Sequence, residues 1–125
     1  MAQSIDTAEL AYLGDAVFEL CVREMLIAAG IPPRDLSRRA KQYVSATAQA
    51  VMYHRIFMRV TQEEQAMMKR GRNLHSTSRA KNAAVVDYRH ATGLETLFGF
   101  VYHRGDKVRV AELFALCIED DTHGN

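Results

Sequence analysis

The run Leu10-Ala11-Tyr12-Leu13-Gly14-Asp15-Ala16-Val17-Phe18-Glu19-Leu20-Cys21-Val22 constrains this chain more than any other segment. Its composition favours a helix, and at about 100° per residue the apolar side chains cover nearly every side. Such a helix cannot lie on a surface with one face in water; it needs neighbours on several sides, or a second copy of itself. Asp15 sharpens the constraint, because it projects between Val22 and Leu26 and beside Ala11. A carboxylate in apolar surroundings must find a partner or lose its charge. Two readings follow: Asp15 is a functional acid, or, coming after Gly14, it caps a helix that restarts at Ala16.

Helical signals run through the rest of the chain, and no stretch shows the sustained apolar/polar alternation of a half-buried strand, so the expected fold is an all-α helical bundle. The first helix is predicted from about Thr7 to Ala29, capped by Asp6 or Thr7 and stopped by Gly30 before Pro32-Pro33. Short basic helices are predicted over Arg34–Tyr43 and Ala46–Arg59, with Thr61 capping Gln62–Arg70. Gly71–Ser78 reads as an exposed polar loop, with a helix resuming near Ser78 or Arg79. Tyr88–His103 carries the stripe Leu94, Leu97, Phe98 and Val101 and ends at Gly105, and Lys107–Ile118 forms the last helix before the acidic Glu119-Asp120-Asp121.

A length of 125 residues fits one domain, 1–125, able to bury its own core. The formal net charge of +1 conceals an asymmetry: residues 1–33 carry −4, residues 34–90 carry +8 and residues 91–125 carry −3. A basic middle between acidic ends suits contact with a polyanion. Cys21 and Cys117 stand in apolar helical segments without metal-ligand spacing, as expected of reduced packing thiols in a reducing compartment. The N-terminus lacks a basic leader, and no apolar stretch approaches the ~20 residues of a membrane span. A soluble cytoplasmic protein with no membrane partner is expected.

Glu95 is the second acid of interest, at the margin of the apolar stripe and close in projection to Tyr88, Ala91 and Tyr102, with Gly99 one turn on leaving space beside it. Two acids on separate buried helices are what a hard cation such as Mg²⁺ needs, since it takes oxygen ligands and relieves the repulsion between them. The competing reading pairs Glu95 with Arg89 or Arg104 on the surface. His54, His75, His90, His103 and His123 are scattered, without a pair at metal-ligand spacing, and the six methionines read as core fillers. No phosphate-binding loop, dinucleotide fingerprint or serine elbow is present, so no nucleotide cofactor is expected.

Ala11-Tyr12-Leu13-Gly14-Asp15-Ala16-Val17-Phe18-Glu19 resembles the signature helix of ribonuclease III catalytic domains, and Tyr88-Arg89-His90-Ala91-Thr92-Gly93-Leu94-Glu95-Thr96-Leu97-Phe98-Gly99 resembles their second active-site helix. With Lys69-Arg70-Gly71-Arg72-Asn73 and Lys81-Asn82-Ala83, the chain is most similar to the Mini-ribonuclease III family, the small bacterial branch without a double-stranded-RNA-binding domain. The resemblance spans about Leu10 to Gly105. Residue by residue, it makes Asp15 the catalytic aspartate and Glu95 the metal-binding glutamate. Larger members have two further acids, and those positions here hold Ala11 and Thr92; Thr92 could hold a metal-bound water but brings no charge. Glu19 would belong to the surroundings of the metal ligands.

The resemblance implies a dimeric ribonuclease III-like domain that hydrolyses phosphodiesters of double-stranded or structured RNA with Mg²⁺, for which Mn²⁺ can substitute. It implies a bacterial role in maturing a ribosomal RNA precursor, 23S. Lys69, Arg70, Arg72, Arg79 and Lys81 are the expected RNA phosphate contacts. A homodimer would also cover the excess apolar surface of the first helix. Two alternatives stand: a non-catalytic RNA-binding module on the same fold, encouraged by Ala11 and Thr92, and a helical protein-interaction domain, disfavoured by the basic middle.

Overall fold

The computed structural model describes residues 5–74 and 82–119, and among them every regular element is helical. Helix α1 spans Thr7–Ala28, α2 Leu36–Val44, α3 Ala46–Phe57, α4 Gln62–Arg72, α5 Ala83–His103 and α6 Lys107–Cys117, with a short 3₁₀ turn at Pro33–Asp35 between α1 and α2. Sequence chemistry sets most of these ends. Asp6 accepts from the Glu9 amide at 2.8 Å while Glu9 accepts from the Asp6 amide at 3.0 Å, a reciprocal cap that satisfies two otherwise orphaned donors. Thr61 and Glu64 repeat the device at α4, and Ser45, Asn82 and Asp106 cap α3, α5 and α6. Gly30 and Gly105 take left-handed conformations, φ 79° and 88°, where the chain leaves α1 and α5.

Three boundaries differ from expectation. The prolines start a 3₁₀ turn before α2, so the basic second helix begins at Leu36 instead of Arg34. Gly71 and Arg72 belong to α4, so the segment read as a loop from Gly71 is helical for its first two residues; Gly71 is buried. Helix α5 begins at Ala83, four residues after the resumption expected near Arg79, with Asn82 capping it by accepting from the Val85 amide at 3.0 Å. Arg79 and Lys81, with the rest of 75–81, lie outside the described residues, as do Asp120 and Asp121.

The segment enclosed on all sides is the middle of α5, not α1. Helices α1, α3 and α4 all pack on it, and Ala91–Gly99 are buried apart from the half-buried Glu95. Helix α1 buries Leu10, Val17, Phe18, Val22 and Leu26 but leaves Tyr12, Leu20 and Ile27 in water at 84%, 54% and 67% exposure. A projection reports which side a residue occupies, not which sides receive neighbours. The core gathers on Phe18, whose ring meets Phe98 and Phe114 edge-on at 5.2 and 5.6 Å.

Glycines let the helices touch backbone to backbone. A Cβ on Gly14 would stand 1.6 Å from the Glu95 carbonyl oxygen, and one on Gly99 1.9 Å from that of Leu10. Gly99 thus seats α1 and does not leave room beside the Glu95 carboxylate. On the other flank of α5, Gly93 receives the Met68 carbonyl and Gly71 receives Thr96. Beneath α4, the fully buried Glu64 takes Arg109 of α6 through two bonds of 2.8 Å.

Candidate active site

The glycine crossing of α1 and α5 fixes where the acids meet. Asp15 follows Gly14, and Glu95 owns the carbonyl against which Gly14 packs. Helix α1 runs through Gly14 and Asp15 without interruption, so Asp15 does not cap a restarted helix. Asp15 is exposed, which corrects the expectation of a buried carboxylate. It stands beside the crossing on the face of α1 that is open to solvent, and water replaces the partner that burial would have required. Glu95 is the more enclosed acid, and burial first, then the Asp15 charge, push its carboxyl up to about 7. The two carboxylates are near enough for Asp15 to favour the neutral form of Glu95, while the Gln49 side-chain amide favours the ionised form.

Gln49 was not anticipated from sequence. It is 2% exposed on α3 and is one of few buried polar side chains among the described residues. Its signal was a polar residue on the face that also carries Met52, Tyr53 and Ile56, all buried. Arg104 lies over Phe100 and donates to Glu63 at 2.9 Å, which removes it as a surface partner for Glu95.

The donor set suits a hard divalent cation. It consists of carboxylate oxygens on rigid helices, one raised toward neutrality by burial and then by a repulsion that a cation would relieve. It is also sparse: no cluster of three or more His, Cys, Asp or Glu able to hold a metal occurs among the described residues.

Residues 8–106 match the Ribonuclease III domain family. A Mini-ribonuclease 3 of Brevibacillus brevis is 48% identical over 105 residues, covering 83% of this chain and 78% of the relative, and one of Enterococcus faecalis is 44% identical over 113 residues, covering 88% and 86%. This chain belongs to the Mini-ribonuclease 3 family. A crystal structure of a Fusobacterium nucleatum protein shares the fold, with a TM-score of 0.77 at 28% identity over 93% of both chains.

In this Mini-ribonuclease 3 family chain, the two positions expected from the resemblance to lack an acid are both buried. Ala11 is buried, and Thr92, 6% exposed, donates its hydroxyl proton to the Tyr88 carbonyl at 2.9 Å. That leaves Thr92 only lone pairs to offer a water. Glu19 accepts from Arg23 and lines the groove between α1 and α2. Of the expected RNA-contacting bases, Arg70 donates to Thr7 at 3.0 Å, Lys69 sits 5.7 Å over the Phe57 ring, and Arg72 donates to Asn73 at 3.1 Å. His54 and His90, far apart in sequence, meet with ring centroids 4.4 Å apart, a pairing that spacing alone could not reveal. No helix among the described residues is long and apolar enough to cross a membrane.

Proposed function

We propose that the chain is a Mg²⁺-dependent endoribonuclease of the ribonuclease III type that cleaves double-stranded RNA, and that its cellular substrate is a ribosomal RNA precursor. The observation that carries this reading is the convergence of Asp15 and Glu95 at the glycine crossing of α1 and α5. Those two carboxylates would hold the cation, with Mn²⁺ able to replace Mg²⁺. Such a cation, when bound, lowers the pKa of water and stabilises charge on the phosphate oxygens. The chain's own part is to keep both acids fixed on helices, to hold Glu95 through Gln49, and to meet the duplex with the +8 charge of residues 34–90. Lys69, Arg70, Arg72, Arg79 and Lys81 are the proposed phosphate contacts, with shape and 2′-hydroxyls of the A-form minor groove setting the preference for duplex.

The working unit in this reading is a cytoplasmic homodimer. Tyr12, Leu20 and Ile27 fall within about 80° of one another around α1, and Asp15 borders that stripe. Their exposure leaves an apolar strip beside the acids for a second copy to cover. Two acid pairs would then face the two strands of one duplex. Light scattering at micromolar concentration should give the dimer mass; a monomer contradicts the dimeric reading.

The cleavage assay uses purified protein and duplex RNA, with and without Mg²⁺, beside Asp15→Asn and Glu95→Gln. Metal-dependent cleavage that both variants lose while still binding RNA is the expected result. RNA binding without cleavage by the unmodified chain would instead make it a non-catalytic module.

A further inference from the structure

A second site stands on the other side of α5. A cavity of about 140 Å³ opens between the end of α4 and the first half of α5, lined by Arg72, Asn73, Val86, Arg89 and His90. We propose that this cavity holds one backbone phosphate of bound RNA, distinct from the phosphate at the acid pair. The inference rests on the RNA reading above and adds a site to it.

Size and chemistry both select a phosphate. At ~30 Å³ per water, the volume equals about four to five waters, room for a tetrahedral oxyanion and a little solvent but not for a nucleoside. The lining has two guanidinium groups and no acid. Asn73 uses its side-chain oxygen to accept from Arg72, which leaves its amide N–H groups as donors. The His90 Nδ1 bonds the Val86 carbonyl at 2.9 Å, fixing the ring as a wall. Tyr53, 2% exposed, packs its ring on His90 at 4.7 Å and sets its hydroxyl close to the Arg72 guanidinium. Among the described bases at the end of α4, Arg70 is tied to Thr7 and Lys69 to Phe57, so Arg72 is the one that lines the cavity.

Placement separates this phosphate from the one at the acids. Arg89 lies six residues before Glu95, about 9 Å along the helix axis and about 120° around it. One phosphate cannot reach both, so a duplex bound at the acids would place a neighbouring stretch of backbone here.

Duplex RNA binding in EDTA, followed by fluorescence anisotropy across salt concentration, tests the site with the full chain, Arg72→Gln, Arg89→Gln and the double variant. If both arginines share one phosphate, the double variant binds several-fold more weakly for every duplex sequence, and its slope of log affinity against log salt is shallower by about 1. An unchanged slope, or a loss near 2 that marks two separate phosphates, overturns the proposal. Inorganic phosphate titrated into the unmodified protein, followed by the NMR resonances of Arg72, Arg89 and His90, needs no variant to fold. Shifts at these residues together with the slope change support the backbone assignment. Shifts without a slope change mean a free-ion site and overturn it, as does the absence of shifts. If the unmodified chain binds no duplex, the RNA reading and this backbone assignment fall together; normal RNA binding with an unchanged slope sinks only the cavity.

Discussion

Substituting Gly14 by alanine adds one methyl group at the point where α1 and α5 are closest. That carbon would stand 1.6 Å from the Glu95 carbonyl oxygen, 2.5 Å from its carbon and 2.8 Å from the Gly99 nitrogen, all backbone atoms that no rotamer change can move. Ordinary contact begins near 3.4 Å, so the helices must part by about 1.8 Å. Overpacking a core costs about 1–3 kcal/mol, and parting two helices on the central one belongs at or above the top of that range. Alanine returns about 1 kcal/mol of helix propensity, which leaves a net loss of about 2 kcal/mol or more. At roughly 3–6 °C per kcal/mol for a chain of this size, the melting temperature should fall by about 6–12 °C. Gly105→Ala is the control: nothing stands within 4 Å of its added carbon, and only the positive φ of 88° opposes it, a cost of about 1 kcal/mol. Thermal melts followed by circular dichroism compare the two. A Gly14→Ala variant melting within about 2 °C of the parent would refute the claim that this crossing sets the distance between the acids.

Without metal, Glu95 makes the folded state bind a proton that the unfolded state releases between pH 4.5 and about 7, so stability falls as pH rises through that window. Glu95→Gln should abolish that decline, worth at most about 3 kcal/mol, in urea titrations at pH 5 and 8 with EDTA. Glu64 behaves oppositely: Arg109 holds its carboxyl below the usual value, so its contribution is present above pH 4.5 and lost as pH falls through the lowered value. Arg109→Ala would strand a carboxylate that is 1% exposed and should cost about 3 kcal/mol in the same titrations at pH 7. Gln49→Ala removes the neutral donor to Glu95 and should raise the Mg²⁺ concentration needed for half-maximal cleavage several-fold, with duplex affinity in EDTA unchanged.

Much of this structure could be read from residue order. Asp6, Thr61 and Gly30 marked helix ends because capping and left-handed turns depend on local chemistry. Asp15 and Glu95 stood out because acids in apolar helices are costly wherever those helices pack. What escaped was determined by neighbours. The exposure of Asp15 depends on which face of α1 the other helices cover, and the enclosure of the middle of α5 depends on three helices converging on it. Gly71 looked like a loop start because a glycine inside a helix is unfavourable on its own; its reason is Thr96 of α5, which a Cβ would meet at 2.2 Å. Gln49 beside Glu95, and His54 beside His90, join residues more than thirty positions apart that no spacing rule connects.

The central claim is that Asp15 and Glu95 form one cation site. Mn²⁺ binding, counted by electron paramagnetic resonance on the unmodified chain, Asp15→Asn, Glu95→Gln and the double variant, tests it most directly. The account predicts that each single variant loses the site almost as completely as the double, because the acids act as a unit. Undiminished Mn²⁺ binding in either single variant, or independent losses that add in the double, would contradict it.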